Sequence, residues 1–239
     1  MNRRSVCMWF GAVRRLAGVS WMAALAATLA AAMAGCGALV SAPPTIHATY
    51  STQVTTPRAT PAATAPIYQN ALTGGATLTG WSTNPVCDFT SGSLVVKPAN
   101  GQAYICLAPT APLGDVAVTV TLAQQSGAPT HAAGIAFRHS AAKSYYFFGV
   151  DEGGRYTLSV VTNDVSHTVI PFTANAAIHS GAGATNRLQI LMQGQSVTLF
   201  VNGATVGEAT LSTYASGTVG LRGVNDGQTQ FTDLTIAAG

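Results

Sequence analysis

The chain has 239 residues, a formal net charge of +3 and only 8% charged residues, whereas globular domains usually have about 25%. Four of the 11 basic residues lie within the first 15 positions, and the remaining seven face eight acidic residues, a net charge of −1. No basic patch or charge run remains, which argues against a nucleic-acid partner.

Residues 1–35 have the features of a secretory signal. The Arg3-Arg4 and Arg14-Arg15 pairs precede an uncharged apolar stretch over residues 16–35, which ends in small residues before Cys36. Small residues directly before a Cys resemble the lipobox of bacterial lipoproteins, although Met33 stands where Leu is usual. In that family a lipid is attached to the Cys and the chain is cut just before it. The resemblance implies an extracytoplasmic protein, anchored to a membrane by lipid on Cys36.

Two other interpretations of this segment stay open. Residues 16–35 are long enough to cross a bilayer as an uncleaved helix, which would give the same topology. The Arg pairs also occur in twin-arginine export signals.

Residues 36–66 are predicted to form a disordered tether. From residue 41 onward the segment is rich in Pro, Thr and Ala. Such a composition cannot bury a core and favours an extended chain.

Residues 67–239 are long enough for one domain and show strand patterns throughout. Period-two alternation and β-branched residues predict strands, and Gly-containing turns separate them. The Asn202-Gly203 pair predicts a type I′ hairpin turn. The only helical candidate is a turn near residues 174–179. The predicted strands are 93–97, 102–107, 115–123, 132–139, 144–151, 155–162, 165–172, 187–192, 196–202, 205–209, 217–222 and 230–236.

This pattern predicts an all-β fold with two packed antiparallel sheets, because the connections are too short for parallel crossovers. Of the four cysteines, Cys7 lies in the signal and Cys36 is the lipidation candidate. Cys87 and Cys106 remain as a pair in an oxidising compartment, and we expect a disulfide between them rather than two free thiols. Trp81 is expected to fill the core rather than to bind a ligand.

Three sequence regions resemble the concanavalin A-like lectin and glucanase jelly rolls. They are GIAFR, YYFFGV and GRYTL (134–138, 145–150 and 154–158), NRLQI and VTLFVNG (186–190 and 197–203), and the closing GTVGL and FTDL (217–221 and 231–234). The chain also resembles laminin-G-like and 3-keto-disaccharide hydrolase-like domains of bacterial surface proteins. The resemblance implies a jelly-roll fold and no particular activity.

The residues that catalysis would need are missing from the pattern. Glucanases of this superfamily carry Glu-x-Asp-x-x-Glu on one strand, which this sequence lacks. Asp151 and Glu152 are adjacent and would point to opposite faces of a strand. No Gly-x-Ser-x-Gly motif occurs. We therefore expect no catalytic residues.

Metal and cofactor sites are not indicated either. The histidines, including His131 and His139, lack ligand spacing and are expected at the surface or at strand ends. No cofactor is expected, although Asn225-Asp226-Gly227 could hold Ca²⁺ through loop oxygens, as in some laminin-G-like domains.

Strand alternation separates a core face from a second face. Tyr146, Phe148 and Val150 share one face of segment 144–151 and are expected in the core. The opposite face is predicted to carry Arg138, Tyr145, Asp151 and Arg155 along a shallow groove. Aromatic rings and guanidinium groups can stack on and hydrogen-bond a sugar. An ordinary solvated sheet face is the alternative.

We therefore expect a lipid-anchored, extracytoplasmic β-sandwich that binds a ligand, with carbohydrate suggested mainly by the resemblance. A structural or adhesive module with a cell-surface protein as its partner, and a 3-keto-disaccharide hydrolase-like enzyme, stay open as alternatives.

Overall fold

The computed structural model describes residues 65–74, 79–82, 86–90, 92–127, 130–140 and 143–239. The predicted signal segment, the lipidation site Cys36 and all but the last two residues of the predicted tether lie outside the described residues. In the part of the chain that is described, no helix has the length and apolar character needed to cross a membrane.

The described residues form fourteen strands in two antiparallel sheets. The strands are β1 Pro66–Asn70, β2 Cys87–Thr90, β3 Ser93–Val96, β4 Ala103–Leu107, β5 Val116–Gly127, β6 Ala132–Ser140, β7 Ser144–Asp151, β8 Arg155–Thr162, β9 Val165–Ala174, β10 Thr185–Gln193, β11 Ser196–Val201, β12 Ala204–Thr210, β13 Thr218–Val224 and β14 Gly227–Ala238.

The larger sheet has the order β12-β11-β10-β5-β14-β3-β2, and β1 also pairs with β14. The smaller sheet has the order β4-β13-β6-β7-β8-β9. The two sheets enclose one main core, so the predicted all-β antiparallel sandwich is confirmed. All twelve predicted strands are present, as β3 to β14. The candidate helical region is a turn, in which the Ile178 amide donates to the Asn175 carbonyl (3.1 Å).

Alternation along the strands builds the core between the sheets. Tyr146, Phe148 and Val150 of β7 are buried in it, as predicted from period-two spacing. Leu188 and Ile190 of β10 belong to the same cluster in the opposing sheet. Burying each such side chain contributes about 2 kcal/mol of stabilisation, so the sheets are held together mainly by this apolar layer.

Trp81 also belongs to the core, as predicted. It is buried, its indole Nε1 donates to the Tyr68 hydroxyl (2.9 Å), and its ring packs edge-on against Phe89 (5.8 Å between centroids). The indole therefore has the polar partner that a buried Trp needs.

The β11–β12 hairpin has the predicted turn. Asn202 (φ 51°) and Gly203 (φ 85°) both have positive φ, as a type I′ turn requires. The Asn202 side-chain Oδ1 also accepts a hydrogen bond from the Arg187 amide (2.8 Å), which ties the turn to β10.

Cys87 and Cys106 form the predicted disulfide, with 5.7 Å between their Cα atoms. Cys87 begins β2, an edge strand of the larger sheet, and Cys106 lies in β4, an edge strand of the smaller sheet. The bond therefore joins the two sheets along one edge of the sandwich.

Candidate ligand-binding groove

The four predicted ligand residues do not lie together. Tyr145 and Asp151 occupy opposite ends of β7, six residues apart, which is about 20 Å at the rise of a β-strand. Arg155 lies beside Asp151, at the far end of β7 from Tyr145. Arg138 lies near neither Tyr145 nor Asp151 on that face, because its side chain is buried. The prediction that these four side chains line one shallow groove is therefore wrong.

Arg138 is buried, with 1% of its surface exposed. Its Nη1 donates to the Tyr214 carbonyl (3.0 Å) and its Nη2 to the Gly194 carbonyl (2.6 Å). Gly194 belongs to the turn between β10 and β11 of the larger sheet, so Arg138 connects the two sheets instead of lining an outer groove.

A β-bulge explains why the prediction failed at Arg138. Strand β6 changes register on both sides, between Phe137 and Ser140 against β7 and between Thr218 and Gly220 of β13. Arg138 has a positive φ of 50° at this point. A bulge inserts a residue into one strand and breaks the alternation of faces, which redirects the side chain.

Asp151 and Arg155 form a local ion pair at the β7–β8 hairpin. The Arg155 Nε and Nη2 donate to Asp151 Oδ2 at 2.7 and 2.6 Å, and the Arg155 amide donates to Asp151 Oδ1 at 2.9 Å. Asp151 is buried, whereas the Arg155 side chain is 44% exposed and lies over the Phe172 ring (5.1 Å). These contacts stabilise the β7–β8 turn. They hold the Arg155 side chain beside Asp151, at the end of β7 opposite Tyr145.

Tyr145 does line a groove, on the face of the smaller sheet that is turned away from the main core. We call this face the outer face. The groove has a volume of about 560 Å³. One wall of the groove comes from β4 and the turn before it. The rest comes from Tyr145, from β6 and β13, and from the turns that precede β7 and β9. The lining residues are Gly101, Gln102, Ala103, Tyr104, Ile105, His139, Lys143, Tyr145, Asp164 and Arg222.

Arg222 of β13 lies at the centre of the aromatic contacts on the outer face. Its guanidinium lies 4.4 Å from the Phe147 ring centroid and 5.3 Å from that of Tyr145, so it contacts two aromatic faces. The Phe147 ring in turn lies over Gly149, where a Cβ would collide with it. Arg222 is only 7% exposed, and its Nε has no hydrogen-bond partner.

Burial perturbs the ionisation of both central groups. Desolvation lowers the pKa of Arg222 from its usual value, and the neighbouring Tyr145 hydroxyl opposes that shift. Burial raises the pKa of Tyr145, and the Arg222 charge opposes it. Tyr145 is therefore neutral at physiological pH, whereas Arg222 is charged because a guanidinium group keeps its proton in proteins.

The rim of the groove carries a salt bridge and an imidazole. Lys143 Nζ lies 2.8 Å from Asp164 Oδ2, and that hydrogen bond raises the pKa of Lys143. The His139 ring stacks on Tyr145 with 5.5 Å between centroids, and burial lowers the pKa of His139. At neutral pH the groove thus holds two cations, one anion and a neutral imidazole.

Arg222 was not among the predicted ligand residues, although the alternation in its strand indicates which face it occupies. Val219 and Leu221 of the same strand are buried in the main core, so Arg222 alternates to the outer face. Nothing in the local sequence shows that β13 lies between β4 and β6, and this placement is what brings Arg222 to Phe147 and Tyr145.

His131 immediately precedes β6 but is not a surface residue, which corrects part of the expectation for the histidines. It is buried, and its Nε2 lies 2.8 Å from the Thr229 hydroxyl oxygen. Added Cβ atoms at Gly127 and Gly227 would both collide with His131, so the two glycines leave room for it.

The Asn225-Asp226-Gly227 segment is used as a turn. Asp226 Oδ1 accepts a hydrogen bond from the Gly101 amide (2.8 Å), and Asn225 Nδ2 donates to the Thr130 carbonyl (2.7 Å). Within the described residues no group of three or more His, Cys, Asp or Glu side chains is placed to hold a metal ion.

Comparison with known proteins identifies the fold. No protein-family model and no curated protein matches the sequence. Among solved structures, the chain is similar to the carbohydrate binding module CBM66 from Bacillus subtilis, with 19% identity and a TM-score of 0.58, over 67% of this chain and 96% of that one.

It is also similar to a Bacillus subtilis protein of unknown function with a galectin-like fold (15% identity, TM-score 0.56, 73% of this chain and 96% of that one). A third is the Bacillus licheniformis β-glucanase (10% identity, TM-score 0.55, 74% of this chain and all of that one). At such low identities, the structural similarity shows the fold alone, which is the concanavalin A-like jelly roll.

Proposed function

We propose that this chain is an extracytoplasmic glycan-binding module, held at a membrane by lipid on Cys36. The observation that supports binding is the groove on the outer face, which the exposed Gln102, Lys143 and Asp164 and the half-buried His139 ring line together with the buried Arg222. Rings that contact the faces of a sugar, beside donors and acceptors for its hydroxyl groups, suit a carbohydrate ligand.

The fold comparison supports the same class of ligand. One similar structure is described as a carbohydrate binding module and another as a β-glucanase. A fold hosts many functions, so the comparison raises carbohydrate above other ligands while the groove supplies the residues.

Binding to a glycan array tests the proposal directly. The protein would be purified in detergent with its N-terminal segment intact, and compared with a Gln102→Ala/Lys143→Ala variant altered at two exposed rim positions. We expect selective glycan binding that the variant weakens at least fivefold. An Arg187→Ala variant, altered in the larger sheet, should bind like the unchanged protein. Absence of binding to every glycan on the array would refute the proposal.

One observation favours a protein-binding module as a second candidate. Strand β9 is an edge strand of the smaller sheet, and Val165, Val169 and Phe172 on it are exposed. Exposed edge strands can pair with a strand of another protein. Capture of a cell-surface protein that is lost on Val169→Lys, with no glycan binding, would select this function.

The composition of the groove favours binding over hydrolysis. Asp164 is the one carboxylate among the described lining residues, and it is paired with Lys143. Glycoside hydrolysis usually needs two carboxylates across the scissile bond. Turnover of a 3-keto-glycoside would support the hydrolase alternative instead.

A further inference from the structure

The charges in the groove do not balance. Lys143 and Asp164 neutralise each other at 2.8 Å. No carboxylate among the described residues lies within ion-pair distance of Arg222, and its Nε has no hydrogen-bond partner. His139 adds no charge at neutral pH. The charge of Asp164 also raises the pKa of Arg222, but Asp164 is shared with Lys143, so the groove keeps one net positive charge.

This arrangement is costly for the folded protein alone. Burying a charge without a carboxylate partner carries a desolvation penalty. Contacts with the Phe147 and Tyr145 rings offset part of that penalty for Arg222. An anion in the groove would offset more of it, because guanidinium groups bind carboxylates through paired, charge-assisted hydrogen bonds.

We infer that the groove selects an acidic glycan, one whose sugar units carry carboxylates, such as a polyuronate. The inference rests on the proposed glycan-binding function and adds the chemical class of the ligand. The carboxylate provides the anion that Arg222 lacks, while the half-buried His139, stacked on the buried Tyr145, supplies ring surface for the sugar.

The Lys143–Asp164 salt bridge offers a test that leaves the core unchanged, because both side chains are exposed. Lys143→Gln and Asp164→Asn break the same ion pair and change the groove charge in opposite directions. Arg222 itself is packed against Phe147, so replacing it would alter stability as well as charge.

The experiment is calorimetric titration of the full-length protein with oligogalacturonate and with the same oligomer methyl-esterified, which removes the charge and keeps the sugar. We expect the acid form to bind at least tenfold more tightly than the ester. Lys143→Gln should weaken binding of the acid form about threefold and Asp164→Asn should strengthen it about threefold. For the ester, which carries no charge, the two variants should have similar effects, because both break the same ion pair.

The results separate this inference from the proposed function. The acidic-glycan inference would be overturned, with glycan binding left in place, if the ester bound as tightly as the acid form or more tightly. Equal effects of the two variants on binding of the acid form would overturn it as well. Failure to bind either oligomer, with neutral glycans bound in a Lys143-dependent way on an array, would also overturn only the inference. Failure to bind any glycan would overturn both.

Discussion

Arg138 is a large charged side chain whose role is structural. Its two hydrogen bonds go to main-chain carbonyls of Tyr214 and Gly194, and Asp115 lies 3.9 Å away. Gly194 also donates its amide to Asp115 Oδ1 (2.8 Å). Arg138 thereby connects the bulge in β6 to the β10–β11 turn and to the segment before β5.

Replacing Arg138 should therefore reduce stability rather than ligand binding. We expect Arg138→Met to lower the free energy of unfolding by about 3 kcal/mol, because a buried guanidinium is removed and two partly buried carbonyls lose their charged donors. Chemical denaturation measures this loss. Arg187→Met, at an exposed position, is the matched control and should cost about 0.5 kcal/mol or less. An Arg138→Met protein with unchanged stability would show that the buried contacts contribute nothing.

His131 should make the fold sensitive to acid. Burial lowers its pKa below the usual 6.5, while hydrogen bonds to the Asn225 and Val224 main chain and the charge of Glu152 oppose this. The unfolded chain then takes up a proton at a higher pH than the folded one. The stability due to neutral His131 is present above about pH 6.5 and is lost as the pH falls through the folded-state pKa.

Melting temperatures between pH 8 and pH 5 test this expectation. The unchanged protein should lose stability over that interval, and His131→Gln should lose less. His167→Gln, altered at an exposed position of β9, should keep the original pH dependence. Parallel pH profiles for all three proteins would contradict the assignment to His131.

At the scale of the strands, the disulfide has a consequence for the groove. Strand β4 forms one wall of the groove, pairs with β13 alone, and is joined to β2 by the Cys87–Cys106 bond. An edge strand with one neighbour has few hydrogen bonds to hold it. The disulfide therefore stabilises both the sandwich and the position of this wall.

We expect Cys87→Ala/Cys106→Ala to lower the free energy of unfolding by about 3 kcal/mol, the value for a loop of this length. We also expect weaker glycan binding, because the β4 wall is no longer held. Denaturation and titration of the double variant measure the two effects. Loss of stability with unchanged affinity would mean that β4 keeps its place without the bond.

Alternation made most of the strands predictable, because each sheet has one face in a shared apolar core. The missed strands were those with weak alternation: β1 begins with Pro66, and β2 has four residues. The position of Tyr145 opposite Tyr146 and Phe148 was also predictable from alternation. The bulge at Arg138 was not, since neither Gly nor Asn marks its positive φ.

The groove was only partly predictable for a different reason. Its two central residues, Tyr145 and Arg222, lie on strands far apart in the sequence, and the order β13-β6-β7 brings them together. Strand order depends on how the whole sandwich closes. Local patterns indicate which face a residue occupies but not its neighbours on that face.

At the scale of the whole molecule, the proposed lipid on Cys36 would attach the domain to a membrane. We expect Cys36→Ala to leave the membrane fraction or to remain unprocessed, because the lipid would have no thiol to join. Cell fractionation and mass spectrometry of the N-terminus measure this. Cys7→Ala is the control and should be lipidated normally. A Cys36→Ala protein that stays membrane-bound at its original size would favour the uncleaved helix.

The pairing of the first and last strands also determines how the chain could be rearranged. Pro66 of β1 lies opposite Ala237 of β14 in the larger sheet, whereas the groove lies on the smaller sheet. Neighbouring ends can be joined by a short peptide and new ends opened at another exposed turn, which gives a circular permutant. If the tether were fused to such new ends, the proposed membrane anchor would be attached at a different point of the same domain. The groove would then face a different direction relative to the membrane.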